Sequence, residues 1–428
     1  MSLTRRRLLV ATAGTAAGAA LGRAAAAQDP LADAALPTPA RSGVDHIVVV
    51  TMENRSFDHF LGWVPGADGR QAGLVYRDDH GREHRTHHLT TRQGCGFRDP
   101  SHSYTGGRIQ LNRGRCDGFA RSPNDGFALG YYTKADLPLY GPLVSEATVF
   151  DRWFPSVLTA TLPNRNYLHA GRTDRMYNAH FTARMPTIWD RLAAAGVPAA
   201  YYYVDLPYLS LWGDRYARTA SRFDLFLAQA ASGTLPQVSY VDPPFDGSSL
   251  KGSADDHPHC DIHRGQSFLS VVAQAVVNSP LWPRTALFIA YDEWGGFFDH
   301  VRPPRLPDEP PLHGRDRHQA GFRVPAFLLS PYARRGRVDH GVYDHTSVLK
   351  FISWRFGLRH LAPRDRSARN LAHAFDFRRP DTSRPALPVV PDPGPHHCGE
   401  LSIGMPGDDD PWTDVVKDMA QRGAWRHA

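Results

Sequence analysis

Several short stretches of this 428-residue chain carry residue types that can do chemistry. Glu53-Asn54 follows the apolar run Ile47-Val48-Val49-Val50, and Asp292-Glu293 follows Ala286-Leu287-Phe288-Ile289-Ala290-Tyr291, with Gly295-Gly296 just beyond. Carboxylate and amide oxygens delivered by two such segments suit a hard divalent cation. Thr161 comes two residues before Pro163, in Thr161-Leu162-Pro163-Asn164-Arg165. Proline favours the first turn of a helix, so Thr161 is expected just ahead of a helix start. A hydroxyl there either caps the helix or attacks an electrophile such as phosphorus, aided by the free N–H groups of the first turn. The chain also has 22 histidines, several of them beside Asp, Ser or Pro: Asp99-Pro100-Ser101-His102, Asp256-His257-Pro258-His259 and Tyr343-Asp344-His345-Thr346. His102 and His257 are candidate metal ligands or phosphate donors. His345 has a plainer reading, ordering a turn in which Thr346 is the N-cap.

These groups need elements to bring them together. Strands are predicted at Val44–Met52, Ala199–Val204, Gln237–Val241, Ala286–Tyr291 and Val324–Leu329. Helices are predicted at Ser56–Leu61, Pro163–Ala170, Ile188–Ala195, Gln266–Val277 and Ser347–Phe356. Strands alternating with helices imply an α/β fold with a doubly wound, mostly parallel sheet. In such sheets ligand sites form at the carboxyl ends of strands, where both acidic pairs lie. Residues Gly66–Gly126, rich in Gly, Arg, His and Asp, read as a long loop insertion over the sheet edge. A Pro-rich segment, Arg379–Pro395, ends the core, and one short helix is expected near Asp414–Arg422.

A composition of 42% hydrophobic and 21% charged residues is enough for a large core, as one big domain or two smaller ones. The N-terminus reads separately. Arg5-Arg6-Arg7-Leu8-Leu9, an Ala/Gly-rich apolar stretch and Ala25-Ala26-Ala27 have the pattern of a secretory signal of the twin-arginine type. Removing residues 1–27 takes away four arginines and no acid, so the formal net charge falls from +6 to +2. No basic run elsewhere supports a nucleic-acid partner. The expected layout is a signal peptide at 1–27, a linker at 28–43, a catalytic domain at 44–378 and a C-terminal extension packed on it at 379–428. The location is secreted or cell-envelope. Four cysteines in an exported chain allow two disulfides in three connectivities. Cys95 and Cys116, flanking one loop-like stretch, are the expected pair. No C-x-x-C is present, which argues against a thiolate zinc site.

Taken together, Glu53-Asn54-Arg55-Ser56-Phe57-Asp58-His59, Thr161-Leu162-Pro163-Asn164-Arg165 and Tyr291-Asp292-Glu293 through Phe297-Phe298-Asp299-His300 resemble three signature segments of the bacterial phosphoesterase family. That family holds the phospholipases C of the non-zinc type and a group of secreted acid phosphatases, within the alkaline-phosphatase-like superfamily. The segments around His102, His257 and His345 also resemble family segments, in order, over about residues 44 to 358. The resemblance implies that Glu53, Asn54, Asp292 and Glu293 hold a divalent metal, with His300 as a further ligand or a support. It implies Thr161 as the nucleophile, with His102 and His257 holding phosphate oxygens or protonating the leaving group. Trp294 departs from the small polar pair usual after Asp-Glu, and is expected either to narrow the pocket or to supply a wall for a leaving group. The larger phospholipases C of the family carry additional C-terminal β domains, and none is expected here.

The resemblance implies a secreted, metal-dependent phosphoric ester hydrolase. Its first expected activity is phospholipase C action on head-group phosphodiesters, in transient contact with a membrane surface. The alternatives are a secreted acid phosphatase on phosphomonoesters and an exported binding protein that has lost the chemistry. A choline head group would favour an aromatic cage, for which Tyr131, Tyr132, Tyr201, Tyr202, Trp212 and Trp294 are available. A sulfatase is a weaker fit. Thr161 to Arg165 has the C/S-x-P-x-R spacing, but threonine cannot give the aldehyde.

Overall fold

The computed structural model describes residues 36–245, 252–395, 398, 412–422 and 425. The signal segment 1–27 and linker residues 28–35 lie outside the described residues. An eight-stranded sheet runs through the core. In space its order is Arg337–Asp339, Thr148–Phe150, Ala326–Leu329, Thr285–Tyr291, His46–Met52, Val238–Val241, Ala199–Tyr203 and Ala220–Arg222. All neighbouring pairs are parallel except the two made by Ala326–Leu329. The unbroken β-branched run Ile47–Val50 reads as a strand buried on both faces, and it takes a central position with those residues almost fully buried.

Register decides the site. His46–Met52 pairs with Thr285–Tyr291 so that Met52 lies opposite Tyr291. Glu53 and Asp292 therefore leave the sheet side by side at its carboxyl edge. Val50 lies opposite Val241 on the other flank, which brings Asp242 to the same edge.

The helices match the expected spans within a few residues. They include Phe57–Leu61, Thr161–Ala170, Ile188–Ala194, Ile262–Asn278 and Thr346–Phe356. The helix expected from Gln266 starts at Ile262 because Asp261 caps it, accepting from the His263 N–H at 2.9 Å. At the start of Thr346–Phe356 the capping expectation is corrected. Thr346 is already helical, and Asp344 Oδ1 accepts both its N–H at 2.9 Å and its hydroxyl. The insertion at 66–126 is less irregular than expected. It contains a hairpin of Val75–Arg77 with Glu83–Arg85 and a helix over Tyr104–Leu111.

The expected Cys95–Cys116 pair is also corrected: Cys95 is bonded to Cys398, with Cα atoms 5.2 Å apart. Cys116 ends the turn after the Tyr104–Leu111 helix, where its N–H donates to Leu111 O and its side chain is buried; it and Cys260 are free thiols. Cys95 sits on the surface of the insertion, within reach of the C-terminal extension instead. Before Cys398 the Pro-rich segment straps along the Ile262–Asn278 helix, with Gln274 Nε2 donating to Leu387 O and Val390 N–H to Ser270 Oγ. No helix among the described residues is long and apolar enough to cross a membrane.

Candidate active site

Glu53, Asn54, Asp292 and Glu293 share one construction: one polar atom of each is held by the protein and one oxygen is left over. Asp292 Oδ1 accepts from the N–H groups of Asn54 (3.2 Å) and Glu293 (2.7 Å). Glu293 Oε2 accepts from the Gly295 N–H at 2.8 Å. Glu53 Oε1 takes the Arg165 guanidinium, 2.8 Å from Nε and 2.7 Å from Nη2. The Asn54 amide Nδ2 lies 3.4 Å from His102 Nε2. What remains is Asp292 Oδ2, Glu293 Oε1 and Asn54 Oδ1, all buried without a hydrogen-bond partner, and Glu53 Oε2, which accepts only from the Thr161 hydroxyl at 3.3 Å. Unsatisfied buried acceptors are costly. Oxygens of carboxylates and an amide are the donor set of a hard divalent cation, so these residues fit such an ion.

The local backbone explains how four oxygens face inward. Asn54 adopts a left-handed conformation (φ 60°), which Asn tolerates better than most residues. Gly295 and Gly296 are also left-handed, and each allows a close approach. A Cβ on Gly295 would lie 2.1 Å from Asn54 O, and one on Gly296 would lie 2.6 Å from Ser101 O. These two glycines press the Asp292-Glu293 strand end against Asn54 and against the loop that carries His102. The His345 ring supports the same strand end: Nε2–H donates to Asp292 O at 2.6 Å, and Nδ1 accepts from Trp153 Nε1.

Thr161 is the first residue of its helix and Ala160 occupies the cap position, so the simple capping role is not the one seen. The Leu162 N–H is met instead by Asn178 Oδ1 at 3.1 Å, and the preceding turn is stapled by Asn164, whose Nδ2 donates to Thr159 O and Ala160 O. The threonine hydroxyl is thereby free to face Glu53. Arg165, one turn on, lies on the same helix face. Besides Glu53 it reaches Asp242 Oδ1 (3.0 Å), Thr51 O (3.1 Å) and, more distantly, Asp292 Oδ2 (3.6 Å).

Burial, then repulsion from Asp292, pushes the pKa values of Glu53 and Glu293 well above the carboxylate range. Burial raises Asp292 to about 6, against the pull of Arg165. Burial opposes the charge on Arg165, but Glu53, Asp242 and Asp292 more than offset it. One guanidinium thus leaves excess negative charge, which a bound cation would balance.

His102 and His257 meet at the mouth of this group, with ring centroids 5.7 Å apart. Each Nδ1–H donates to a backbone carbonyl, Pro100 O at 2.8 Å and Pro258 O at 2.6 Å. That tautomer leaves both Nε2 atoms unprotonated; the His102 Nε2 faces Asn54 and the His257 Nε2 lies 3.9 Å from Asp99 Oδ2. Burial lowers His102 to about 4; burial and then His102 lower His257 to about 3. Asp99 completes a cluster with them, its ligand atoms and theirs all within 4.8 Å of one another.

His300 is elsewhere. Both its ring nitrogens are taken by carboxylates, Asp58 at 2.5 Å and Asp68 at 3.1 Å, and Arg323 threads the same group through Asp58 and Asp299. Asp58, Asp299 and His300 form a second group whose ligand atoms all lie within 4.8 Å of one another, apart from the Glu53, Asn54, Asp292 and Glu293 oxygens, and Arg323 supplies a cation to it. The expectation for Trp294 is corrected. It is wholly buried, donates to Gln110 Oε1 at 2.7 Å and supports the Tyr104–Leu111 helix. Of the aromatics considered for a cage, Tyr132, Tyr201, Tyr202, Trp212 and Trp294 are core residues, and only Tyr131 is partly exposed.

Sequence reasoning gave no role to Arg165, Asp242, Asp99 or Asn178. Arg165 had a visible signal, four residues after Thr161 on a predicted helix. Asn178 and Asp242 had none, because only the fold brings them to the edge.

A mostly parallel sheet that gathers a hydroxyl, a set of hard oxygen donors and two imidazoles at one edge has the parts for hydrolysing phosphoric esters. The chain belongs to the Phosphoesterase family, whose model matches residues 44–359, and is a phosphoric ester hydrolase. It is 31% identical to Non-specific phospholipase C1 of Arabidopsis thaliana, over 80% of this chain and 73% of that protein. It is 28% identical to Phospholipase C A of Mycobacterium tuberculosis, over 91% and 90%. Among solved structures, a protein in the alkaline phosphatase superfamily from Vibrio parahaemolyticus aligns at a TM-score of 0.38 and 11% identity, covering 78% of this chain and 71% of that one. A lipoteichoic acid synthase from Listeria monocytogenes aligns at 0.39 and 10%, covering 81% and 80%.

Proposed function

We propose that this chain is an exported, metal-dependent phospholipase C that cleaves head-group phosphodiesters through a phosphothreonine on Thr161. The observation that carries the reading is the Thr161 hydroxyl, relieved of capping and donating to Glu53 Oε2 at 3.3 Å, next to oxygens left open for a cation. Residues 44–378 would form the catalytic domain and 379–428 its extension. The Arg5-Arg6-Arg7 leader supports twin-arginine export. The phospholipase C names of the relatives support a diester over a monoester.

Glu53, Asn54, Asp292 and Glu293 would hold the ion, which when bound supplies positive charge to the nucleophile and to the phosphoryl oxygens. Glu53 Oε2 accepts the Thr161 proton as Oγ bonds to phosphorus. The bond from phosphorus to the glycerol oxygen breaks in line. His102 and His257, neutral when the site is empty of anion, face the incoming phosphate with Nε2. Its negative charge offsets their burial, so one takes up a proton and passes it to the departing alkoxide. Diacylglycerol leaves, water then cleaves the Oγ–phosphorus bond, and the phosphorylated head group is released with Thr161 restored.

The test compares phosphatidylcholine, p-nitrophenyl phosphorylcholine and p-nitrophenyl phosphate on the metal-repleted protein, with EDTA as control. Release of diacylglycerol, abolished by EDTA, is expected. Hydrolysis of the monoester alone would replace the reading with a secreted phosphatase. No hydrolysis of any substrate with metal bound would leave an exported binding protein.

A further inference from the structure

Arg165 donates to Glu53, Asp242 and Thr51 O. Aromatic rings from three distant parts of the chain also lie against it. Phe245 is centred 4.8 Å from the guanidinium carbon, Trp412 5.6 Å and Tyr208 5.7 Å. Trp412 is the first residue of the C-terminal helix Trp412–Arg422 and meets Phe245 edge-on at 4.6 Å. That helix is docked through buried Val415, Val416 and Met419, by Ser210 Oγ donating to Val416 O, and by a contact of His180 with Asp418. The extension is fixed ahead of that helix as well, since Cys398 is bonded to Cys95 in the insertion that carries Asp99 and His102.

We propose that Trp412 is a positioning residue for the reaction, acting through Arg165 and Glu53 on Thr161, so that the C-terminal extension completes the site. The inference rests on the roles proposed for Glu53 and Thr161. An ion pair walled from water is stronger than a wetted one, and this pair alone fixes which Glu53 oxygen faces Thr161. Taking the indole away opens a space the size of a large side chain beside the guanidinium. Water then reaches the pair, Glu53 can turn, and Thr161 loses the acceptor that orients its hydroxyl. The metal set loses the fixed position of one ligand in the same event.

The experiment uses the full mature chain and the soluble ester that the wild type hydrolyses fastest. It compares Trp412→Ala and Trp412→Phe with Met419→Ala, which trims the same helix on a side chain that does not touch Arg165. The readouts are kcat, KM, Tm and the calorimetric Kd for the divalent ion alone. Trp412→Ala is expected to lower kcat by about 10-fold or more with KM within about twofold, a misplacement effect, and to weaken ion binding. Trp412→Phe should restore most of both. Met419→Ala should lower Tm and leave kcat and Kd near wild type. Equal kcat and Kd values for Trp412→Ala and Met419→Ala, measured well below both Tm values, would overturn the proposal. If Trp412→Ala does not fold, Trp412→Leu takes its place under the same criteria. Failure of the site assignment itself would show separately, as full activity in Thr161→Ala.

Discussion

Gly295→Ala is the sharpest single perturbation of this site, because one methyl group strikes the joint between its two halves. Gly295 has φ +62° and its Cβ position lies 2.1 Å from the carbonyl oxygen of Asn54. Real Cβ contacts are essentially never shorter than 3.0 Å, so Asn54 and the Asp292-Glu293 strand end must separate by roughly 0.9 Å. Shifts of about 1 Å in a catalytic array cost on the order of 100-fold in rate. The left-handed backbone adds strain of about 1–2 kcal/mol for any L-residue. Gly73→Ala isolates that second effect: its φ is +84° and nothing lies within 4 Å of the added carbon. The expected result is a modest fall in Tm for Gly73→Ala and a larger one for Gly295→Ala, which adds the clash to the same strain, with a loss of about 100-fold in kcat/KM and weaker divalent-ion binding by calorimetry for Gly295→Ala alone. Wild-type kcat/KM and ion affinity in Gly295→Ala, with Tm lowered as in Gly73→Ala, would refute the idea that Asn54 and Asp292 belong to one site.

The same geometry sets other outcomes. Thr161→Ala should abolish turnover, by well over the roughly 100- to 1,000-fold typical of losing one stabilising donor, with circular dichroism unchanged; residual activity near wild type removes the nucleophile. Thiol titration should find no reactive cysteine in the native protein at pH 8, since burial raises Cys116 to about 12 and Cys260 further, leaving about one thiolate in 10,000 at Cys116. Two thiols should appear on denaturation and four after reduction; peptide mapping that joins Cys95 to Cys116 would contradict the fold of the extension. Burial lowers the pKa of His300, but Asp58 raises it on balance. A raised histidine contributes stability that is complete below its unfolded pKa of about 6.5 and is lost as pH climbs through the folded value. Wild-type Tm should therefore fall more steeply than that of His300→Gln as pH rises above about 6.5, and parallel curves would count against the ion pair.

Much of this site could be read before the fold, because its parts lie at positions with strong local rules. An unbroken β-branched run is a buried strand, and the residues at the carboxyl end of a buried parallel strand lie at a ligand edge. That logic placed Glu53-Asn54 and Asp292-Glu293 together, and the Met52–Tyr291 register is the reason they meet. Pro163 marked a helix start and so set Thr161 apart. Local rules were less useful where a residue had competing partners. Thr346 looked like a cap until Asp344 took that role, and His300 read as either a ligand or a support, while the structure pairs its nitrogens with Asp58 and Asp68. Cys95 and Cys116 are close along the chain, but the thiol of Cys116 is buried and Cys398 reaches Cys95 from 303 residues away.

By itself the sequence determined which side chains are available and which end of the sheet presents them, because strand burial, helix starts and family signatures are encoded within a few residues. The tertiary structure alone decided how those side chains are shared out. It gave one oxygen of Glu53 to Arg165 and left the other for Thr161, and it brought Trp412 from the far end of the chain to cover the guanidinium. Such choices depend on distances between segments remote in sequence, and no spacing along the chain records them.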